Sequence, residues 1–150
     1  MRLHITREIL ERIHLHGEQA YPEEGAGLLL GDSTGAQSQV KEILPLTNAR
    51  EKGARYNRYQ LTPQDYLQGE QLAEDLGLSV LGVFHSHPDH PNRPSDFDRQ
   101  WAWPNFSYLI TSVNGGRASQ SRSWRLREDR TAFSEEDLAV EQPISNHQNN

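Results

Sequence analysis

Side chains able to bind a metal ion are concentrated in residues 82–100, which read GVFHSHPDHPNRPSDFDRQ. Three of the seven histidines, His85, His87 and His90, stand there within six positions. The chain has no cysteine, which excludes disulfides, thiolate ligands and a cysteine nucleophile. Any metal in this protein must therefore be held by histidine, aspartate or glutamate.

Two histidines at positions i and i+2 point the same way only where the chain is extended. In a strand, His85 and His87 project from one face, whereas on a helix they would diverge by roughly 200°. The apolar run LSVLGVF at 78–84 predicts a strand that is buried on both faces and leads directly into His85. The pattern thus predicts two imidazoles aimed at one point.

Two neutral imidazoles and one carboxylate, with a fourth position open, are the usual surroundings of a catalytic zinc ion. The carboxylate candidates are Asp89, Asp96 and Asp98. Asp89 would have to fold back towards His87 through Pro88, whereas Asp98 follows a proline-stiffened loop and can return from a helix. We therefore predict Asp98 as the third ligand, and zinc as the metal, because borderline nitrogen and oxygen ligation favours it.

Local patterns predict the elements that position these side chains. Helices are predicted from Thr6 to Tyr21-Pro22, from Thr62-Pro63 to Gly77, and from Pro94-Ser95 to Trp101. Strands are predicted in GAGLLLG and SQVKEILPL, joined as a hairpin by DSTG, and in LSVLGVF, FSYLITSV, SQSRSWRLRE and TAFSEEDLAVE. Residues 49–60 are predicted as a loop running into a short edge strand. We expect one domain over 1–141 and a disordered tail at 142–150.

The charge balance argues against two classes of partner. Fifteen basic and twenty-one acidic residues leave a formal net charge of −6, so neither nucleic acid nor a membrane surface is an expected partner. No apolar run approaches the ~18 residues of a transmembrane helix, and the start MRLHITREILERIHLHGEQ is unlike a signal peptide. We expect a soluble cytoplasmic protein whose oligomeric state the sequence leaves open.

One spacing in the chain is shared with a known family. The order His-x-His, seven residues, Ser, two residues, Asp is formed by His85, His87, Ser95 and Asp98. This pattern resembles the motif of the JAMM (MPN+) zinc metalloproteases. The family also has a glutamate at the end of its first helix, and Glu24 in PEEGAGLLLG stands there, with Glu23 as the alternative. The resemblance covers about residues 5–140.

The resemblance implies a role for each residue of the motif. His85, His87 and Asp98 would hold one zinc ion, with water as the fourth ligand. Glu24 would accept and deliver protons, and Ser95 would stabilise the oxyanion. The implied reaction is zinc-dependent hydrolysis of a peptide or isopeptide bond. The implied fold is α/β, a single domain with a mixed, strongly curved sheet flanked by helices, similar to the cytidine-deaminase-like architecture.

The resemblance also implies a class of substrate. Eukaryotic members of the family remove ubiquitin, but this chain lacks long insertions and looks more like the prokaryotic, stand-alone branch. The expected substrates are then small ubiquitin-like β-grasp proteins, including sulfur carriers with a C-terminal Gly-Gly. The extended C-terminus of such a carrier could add as a strand beside an exposed sheet edge.

Two other functions fit parts of the same sequence. HSHPDH also satisfies the His-x-His-x-Asp-His pattern of metallo-β-lactamase-like hydrolases, which hold two metals. That fold needs a longer chain and further histidines downstream, where only His147 is present. The non-enzymatic alternative is an MPN scaffold without metal, although such a protein would not be expected to keep the complete ligand set.

Structural explanations also exist for some of these side chains. Ser95 and Asp98 resemble a capping box that opens a helix, and this role would compete with metal binding by Asp98. Trp101 and Trp103 are expected to pack a short helix against the sheet as buried aromatics, rather than to form a platform for substrate.

Overall fold

The computed structural model of the protein describes residues 1–46 and 61–142. The strands in these residues are β1 (Arg2–Thr6), β2 (Ala26–Thr34), β3 (Gln37–Leu46), β4 (Ser79–Pro88), β5 (Ser107–Asn114), β6 (Arg117–Leu126) and β7 (Phe133–Glu141). The helices are α1 (Arg7–Ala20), α2 (Pro63–Leu76) and α3 (Asp96–Trp101). The segment 49–60 and residues 143–150 of the predicted tail lie outside the described residues.

The strands form one mixed sheet that closes on itself. Its order is β1-β3-β2-β4-β5-β6-β7, and β1 pairs in parallel with both β3 and β7. The pair β4 and β5 is also parallel, whereas the remaining neighbours are antiparallel. A mixed sheet with helices was predicted, but the predicted curved sheet is here a closed barrel. The likeness to the cytidine-deaminase-like architecture stays a prediction.

The strand β1, which closes the barrel, was not predicted from the sequence. Leu3 and Ile5 are fully buried and their neighbours are not, which is the alternation of a strand. The strand is short and passes directly into α1, so its alternation could not be distinguished from the helical pattern of the residues that follow. Arg2 pairs with Asp137 on β7, and no local pattern in the sequence encodes a contact between residues so far apart.

The helices begin and end close to the predicted positions. The side chain of Thr6 accepts a hydrogen bond from the backbone N–H of Ile9 and caps α1. Thr62 and Asp65 form a capping box on α2, and Gly77 ends that helix in the left-handed conformation, with φ of 71°. Among the described residues, no helix has the length and apolar character needed to cross a bilayer.

The strand β4 is held rigidly in the centre of the sheet. All residues from 81 to 88 are buried, so the predicted burial on both faces is confirmed for 81–84 but not for 78–80, which are partly or fully exposed. The strand extends through the histidines to Pro88. Val83 and Phe84, which point to opposite faces, belong to two hydrophobic clusters. One cluster contains Ile13 of α1 and the other contains Ala73 of α2. The histidines therefore project from an element fixed by packing on both sides.

Candidate metal centre

The three predicted ligands come together at the C-terminal end of β4. His85 and His87 project from one face of the strand, and Asp98 comes from the first turn of α3. The Nε2 atoms of His85 and His87 are 3.2 Å apart. The Nε2 atom of His87 lies 3.2 Å from Oδ2 of Asp98, and that of His85 lies 3.4 Å from Oδ1. All three side chains are buried.

These separations are those of a tetrahedral metal site. Bonds of about 2.0–2.1 Å to zinc place two ligand atoms of a tetrahedron roughly 3.3 Å apart, and the contacts here are 3.2–3.4 Å. Two ring nitrogens and a carboxylate that face one another also leave lone pairs opposed, unless a proton or a cation lies between them. The donor set and its spacing therefore fit a divalent cation with a fourth position left over.

The surroundings favour the protonation states that metal ligands need. Burial lowers the pKa of His85 and outweighs the opposing effect of Asp98. Burial alone would raise the pKa of Asp98, but the interaction with His85 and hydrogen bonds from His87 and the Ser95 N–H bring it well below its usual range. Nδ1 of His87 lies 2.7 Å from the carbonyl oxygen of Pro91. A proton donated there leaves the Nε2 lone pair for a metal.

Ser95 and Asp98 do form a capping box at the start of α3. The Asp98 N–H donates to Oγ of Ser95 at 3.1 Å, and the Ser95 N–H donates to Oδ2 of Asp98 at 2.8 Å. A carboxylate has two oxygens and about four lone-pair directions, so acceptor positions remain on Asp98 for a metal, and the competition with metal binding stays a prediction. The box fixes the orientation of the carboxylate, and the Ser95 hydroxyl keeps its own proton for a further acceptor.

Glu24 stands two residues before the start of β2. The regular pairing of β2 with β4 ends at Ala26, which stands opposite His85, and hydrogen bonds between Gly25 and Ser86 continue the contact by one residue. Glu24 therefore adjoins the last residue that is bonded to β4. It is buried, with 7% of its surface exposed, whereas Glu23 is partly exposed. Burial thus favours Glu24 over Glu23 as the base.

The alternative with two metals would need Asp89 and His90 as ligands, and the structure brings neither into the cluster. Oδ2 of Asp89 accepts a hydrogen bond from the Tyr21 hydroxyl at 2.7 Å, and Oδ1 accepts one from the Gly115 N–H at 2.8 Å. His90 is exposed on the loop. Among the described residues the second metal site of that alternative is not formed.

The prediction that Trp101 and Trp103 are buried is wrong, since 54% and 58% of their surfaces are exposed. The inward positions of this segment are taken by Asp98 and Ala102, both buried, so both tryptophans point elsewhere. They line an open cavity of about 820 Å³ that contains none of the metal-site side chains. Its lining is Leu61, Pro63, Tyr66, Leu67, Glu70, Trp101, Trp103, Pro104 and Phe106.

One polar residue close to the metal cluster was not singled out in the sequence. Ser86, between the two histidines, is buried, and its Oγ accepts a hydrogen bond from the backbone N–H of Gly25, the residue after Glu24. Its place in the His-x-His pattern was the available signal. The alternation of a strand sends this side chain to the face opposite the imidazoles.

Comparison with known sequences points to one family. The profile of the family described as prokaryotic homologs of the JAB domain matches residues 6–127. A probable TtuB-protein conjugate cleaving protease of Thermus thermophilus is 32% identical over 116 residues, which are 77% of this chain and 74% of that protein. A desampylase of Haloferax volcanii is 29% identical over 119 residues, which are 76% of this chain and 83% of that protein.

Solved structures share the fold. A protein from Salinibacter ruber, solved in solution, is 43% identical and has a TM-score of 0.73, over 94% of this chain and 93% of the other. A JAB1/MPN domain protein from Archaeoglobus fulgidus has a TM-score of 0.55 at 18% identity, over 91% of this chain and 96% of the other. At that identity the likeness concerns the fold alone.

Proposed function

The chain belongs to the family of prokaryotic homologs of the JAB domain, and from this premise we propose that it is a zinc-dependent peptidase of the cytoplasm. It hydrolyses a peptide or isopeptide bond at the C-terminus of a small ubiquitin-like protein. The observation that carries the proposal is the convergence of His85, His87 and Asp98 at tetrahedral spacing. The relatives named as a conjugate cleaving protease and a desampylase support conjugates as the substrates.

In the proposed reaction the side chains divide the work. His85, His87 and Asp98 would hold one zinc ion, which when bound supplies a Lewis acid and lowers the pKa of water from ~15.7 towards ~7. The carboxylate of Glu24 would accept the proton of the attacking water and pass it to the leaving amine. The Ser95 hydroxyl would donate a hydrogen bond to the carbonyl oxygen as that oxygen becomes negative.

The tail of the substrate needs an unpaired strand edge if it is to add to the sheet. The sheet is a closed barrel, and closed sheets have few free edges, so few strands are available to pair with the tail. In the described part of the chain, β1 pairs with β3 only at residues 37–39, so residues 40–46 have β2 on one side and no strand on the other. Leu46 stands opposite Ala26, which stands opposite His85. We propose this edge, which runs towards the metal cluster, for the tail.

The proposed activity is tested by metal removal. Zinc-loaded protein is incubated with a ubiquitin-like carrier joined through its C-terminal Gly-Gly to a lysine side chain or to a peptide. We expect release of the carrier that stops with a chelator and returns when zinc is restored, because the chelator takes the ion from the cluster. If zinc binds in one equivalent and no adduct is cleaved under any of these conditions, the chain is a non-catalytic scaffold and the proposal is wrong.

Replacing Ser95 by alanine is expected to lower kcat roughly 10²–10³-fold with little change in KM, because the lost donor acts only on the charge of the transition state. The same change removes the cap of α3, which costs about 1 kcal/mol of helix stability, so zinc content must be measured alongside. Ser95→Thr keeps a hydroxyl for both roles and serves as the control. Full activity of Ser95→Ala at normal zinc content would exclude the hydroxyl as the oxyanion donor.

A further inference from the structure

We propose that Ser86 is a positioning residue, which holds the backbone of Glu24 and Gly25 against the strand that carries the metal ligands. The inference rests on the proposed function, in which Glu24 transfers protons. It concerns a residue that neither binds the metal nor touches substrate.

The evidence is a pair of hydrogen bonds on one residue. The Ser86 N–H donates to the carbonyl oxygen of Gly25 at 2.9 Å, and the Gly25 N–H donates to Oγ of Ser86 at 2.8 Å. In a regular antiparallel pair the two residues would exchange both bonds through their backbones. Here the hydroxyl accepts the second bond, one residue beyond the last regular pair of Ala26 with His85. At the end of the ladder between β2 and β4, the side chain of Ser86 thus supplies the acceptor that a backbone carbonyl would supply in a regular pair.

Burial makes this contact decisive for the local backbone. Ser86 is 3% exposed, and Gly25 is buried as well. A buried N–H that loses its acceptor cannot turn to water in place, so the segment must move to satisfy it. The residue that would move with it is Glu24, the next one along the chain.

The hydroxyl reaches Gly25 from a crowded place. Ser86 projects towards α1, which approaches so closely that a Cβ on Gly17 would lie 3.1 Å from Cβ of Ser86 and 3.2 Å from Val113. Packing alone would be met by alanine, which has no polar atom to satisfy. The serine therefore contributes something that packing does not require, namely an acceptor for the backbone beside Glu24.

A second hydrogen bond joins the same two segments and provides a comparison. The Tyr21 hydroxyl donates to Asp89 at 2.7 Å, and so connects the residues before Glu24 with those after His87. This bond is exposed to solvent, where water can replace either partner. Tyr21→Phe should therefore disturb the position of Glu24 much less than Ser86→Ala.

The test combines amide exchange with zinc content and kinetics. In Ser86→Ala we expect the Gly25 amide, followed by NMR, to exchange at least about 10-fold faster than in the unaltered protein, with zinc still bound in one equivalent. We expect kcat to fall about 10–100-fold and KM to change less than about 2-fold, because a displacement near 1 Å costs that much in rate. Ser86→Thr, which keeps the acceptor, should restore both amide protection and kcat.

Two variants serve as controls. Ser38→Ala removes a similarly buried hydroxyl from the hairpin of β2 and β3, and it should leave amide exchange at Gly25 and kcat unchanged. Tyr21→Phe should alter kcat by less than about 3-fold. A general loss of stability in Ser86→Ala would instead speed exchange throughout the barrel and not at Gly25 alone.

Several outcomes would overturn the inference. The first is an unchanged exchange rate of the Gly25 amide in Ser86→Ala, and the second is an unchanged kcat. The third is a loss of zinc in proportion to the loss of kcat, which would mean that the substitution disturbs the metal ligands and not Glu24. Failure of the proposed function looks different, since the unaltered protein would then cleave no adduct. In that case exchange at Gly25 and zinc content alone decide whether Ser86 holds the segment.

Discussion

Replacing His87 by alanine is expected to remove the metal and, with it, all measurable hydrolysis. His87 is central to the cluster, since its Nε2 lies 3.2 Å from the ligand atoms of both His85 and Asp98. Loss of a partner that merely orients a ligand already costs roughly 10–100-fold in metal affinity, so loss of the ligand itself should cost about 10³-fold or more. Zinc per chain after dialysis, measured by elemental analysis, and the rate of adduct cleavage report the two effects.

The matched control is His90→Ala, because His90 is an exposed histidine on the adjoining loop. Zinc content should be unchanged in this variant. The side chain of His87 also contacts the carbonyl oxygen of Pro91, so its loss can lower the stability of the fold directly. The thermal unfolding of His87→Ala and of the unaltered protein must therefore be compared in the absence of metal. One equivalent of zinc retained by a folded His87→Ala protein would show that the metal site lies elsewhere.

Replacing Glu24 by glutamine is expected to leave zinc bound while kcat falls about 10²–10⁴-fold, the usual contribution of a general acid–base. Glutamine has nearly the shape of glutamate, so the fold and the metal ligands are preserved. It cannot accept the proton of the attacking water, so catalysis is lost. Glu24 is buried and directly precedes Gly25, whose N–H donates to the hydroxyl of Ser86 between the two histidines. Zinc content and single-turnover cleavage of the adduct are the measurements.

Glu23→Gln is the control for this variant, because it makes the same chemical change at the partly exposed neighbour. Its kcat should stay within about 2-fold of the unaltered protein. The opposite pattern, with activity lost in Glu23→Gln and kept in Glu24→Gln, would transfer the role of base to Glu23. Activity kept in both variants would mean that neither glutamate moves the proton.

Together the two variants separate metal binding from proton transfer. His87→Ala should lose both zinc and turnover, whereas Glu24→Gln should lose turnover alone. In a scaffold without catalytic function the unaltered protein would be inactive as well, so neither substitution would lower its activity. Comparison of each variant with the unaltered protein thus distinguishes the proposed enzyme from the non-catalytic alternative.

Much of the local structure could be predicted from sequence because its causes are local. The alternation of a strand is enough to bring His85 and His87 to one face, and a capping residue followed by proline is enough to begin α2. Asp98 could be preferred to Asp89 because it lies beyond a loop and can return to the strand from a helix, whereas Asp89 would have to fold back through Pro88. These inferences use the geometry of a few consecutive residues, and the structure agrees with each of them.

Other features depend on residues far apart in the chain. The burial of Trp101 and Trp103 was predicted wrongly, since the inward face of α3 is decided by what lies against it. The error arose because a tryptophan side chain has several possible surroundings, and the sequence does not show which of them the fold provides.

The sequence by itself determined that His85 and His87 project from one face of β4, because residues two apart in a strand share a face. It also offered Asp98 as the third side chain of the cluster, which the structure brings to the histidines. Only the tertiary structure decided that the sheet closes, since closure needs Arg2 beside Asp137. It also decided that Ser86 holds the backbone next to Glu24. Strand pairing between distant segments depends on the packing of the whole barrel, and that packing has no signature in any short stretch of residues.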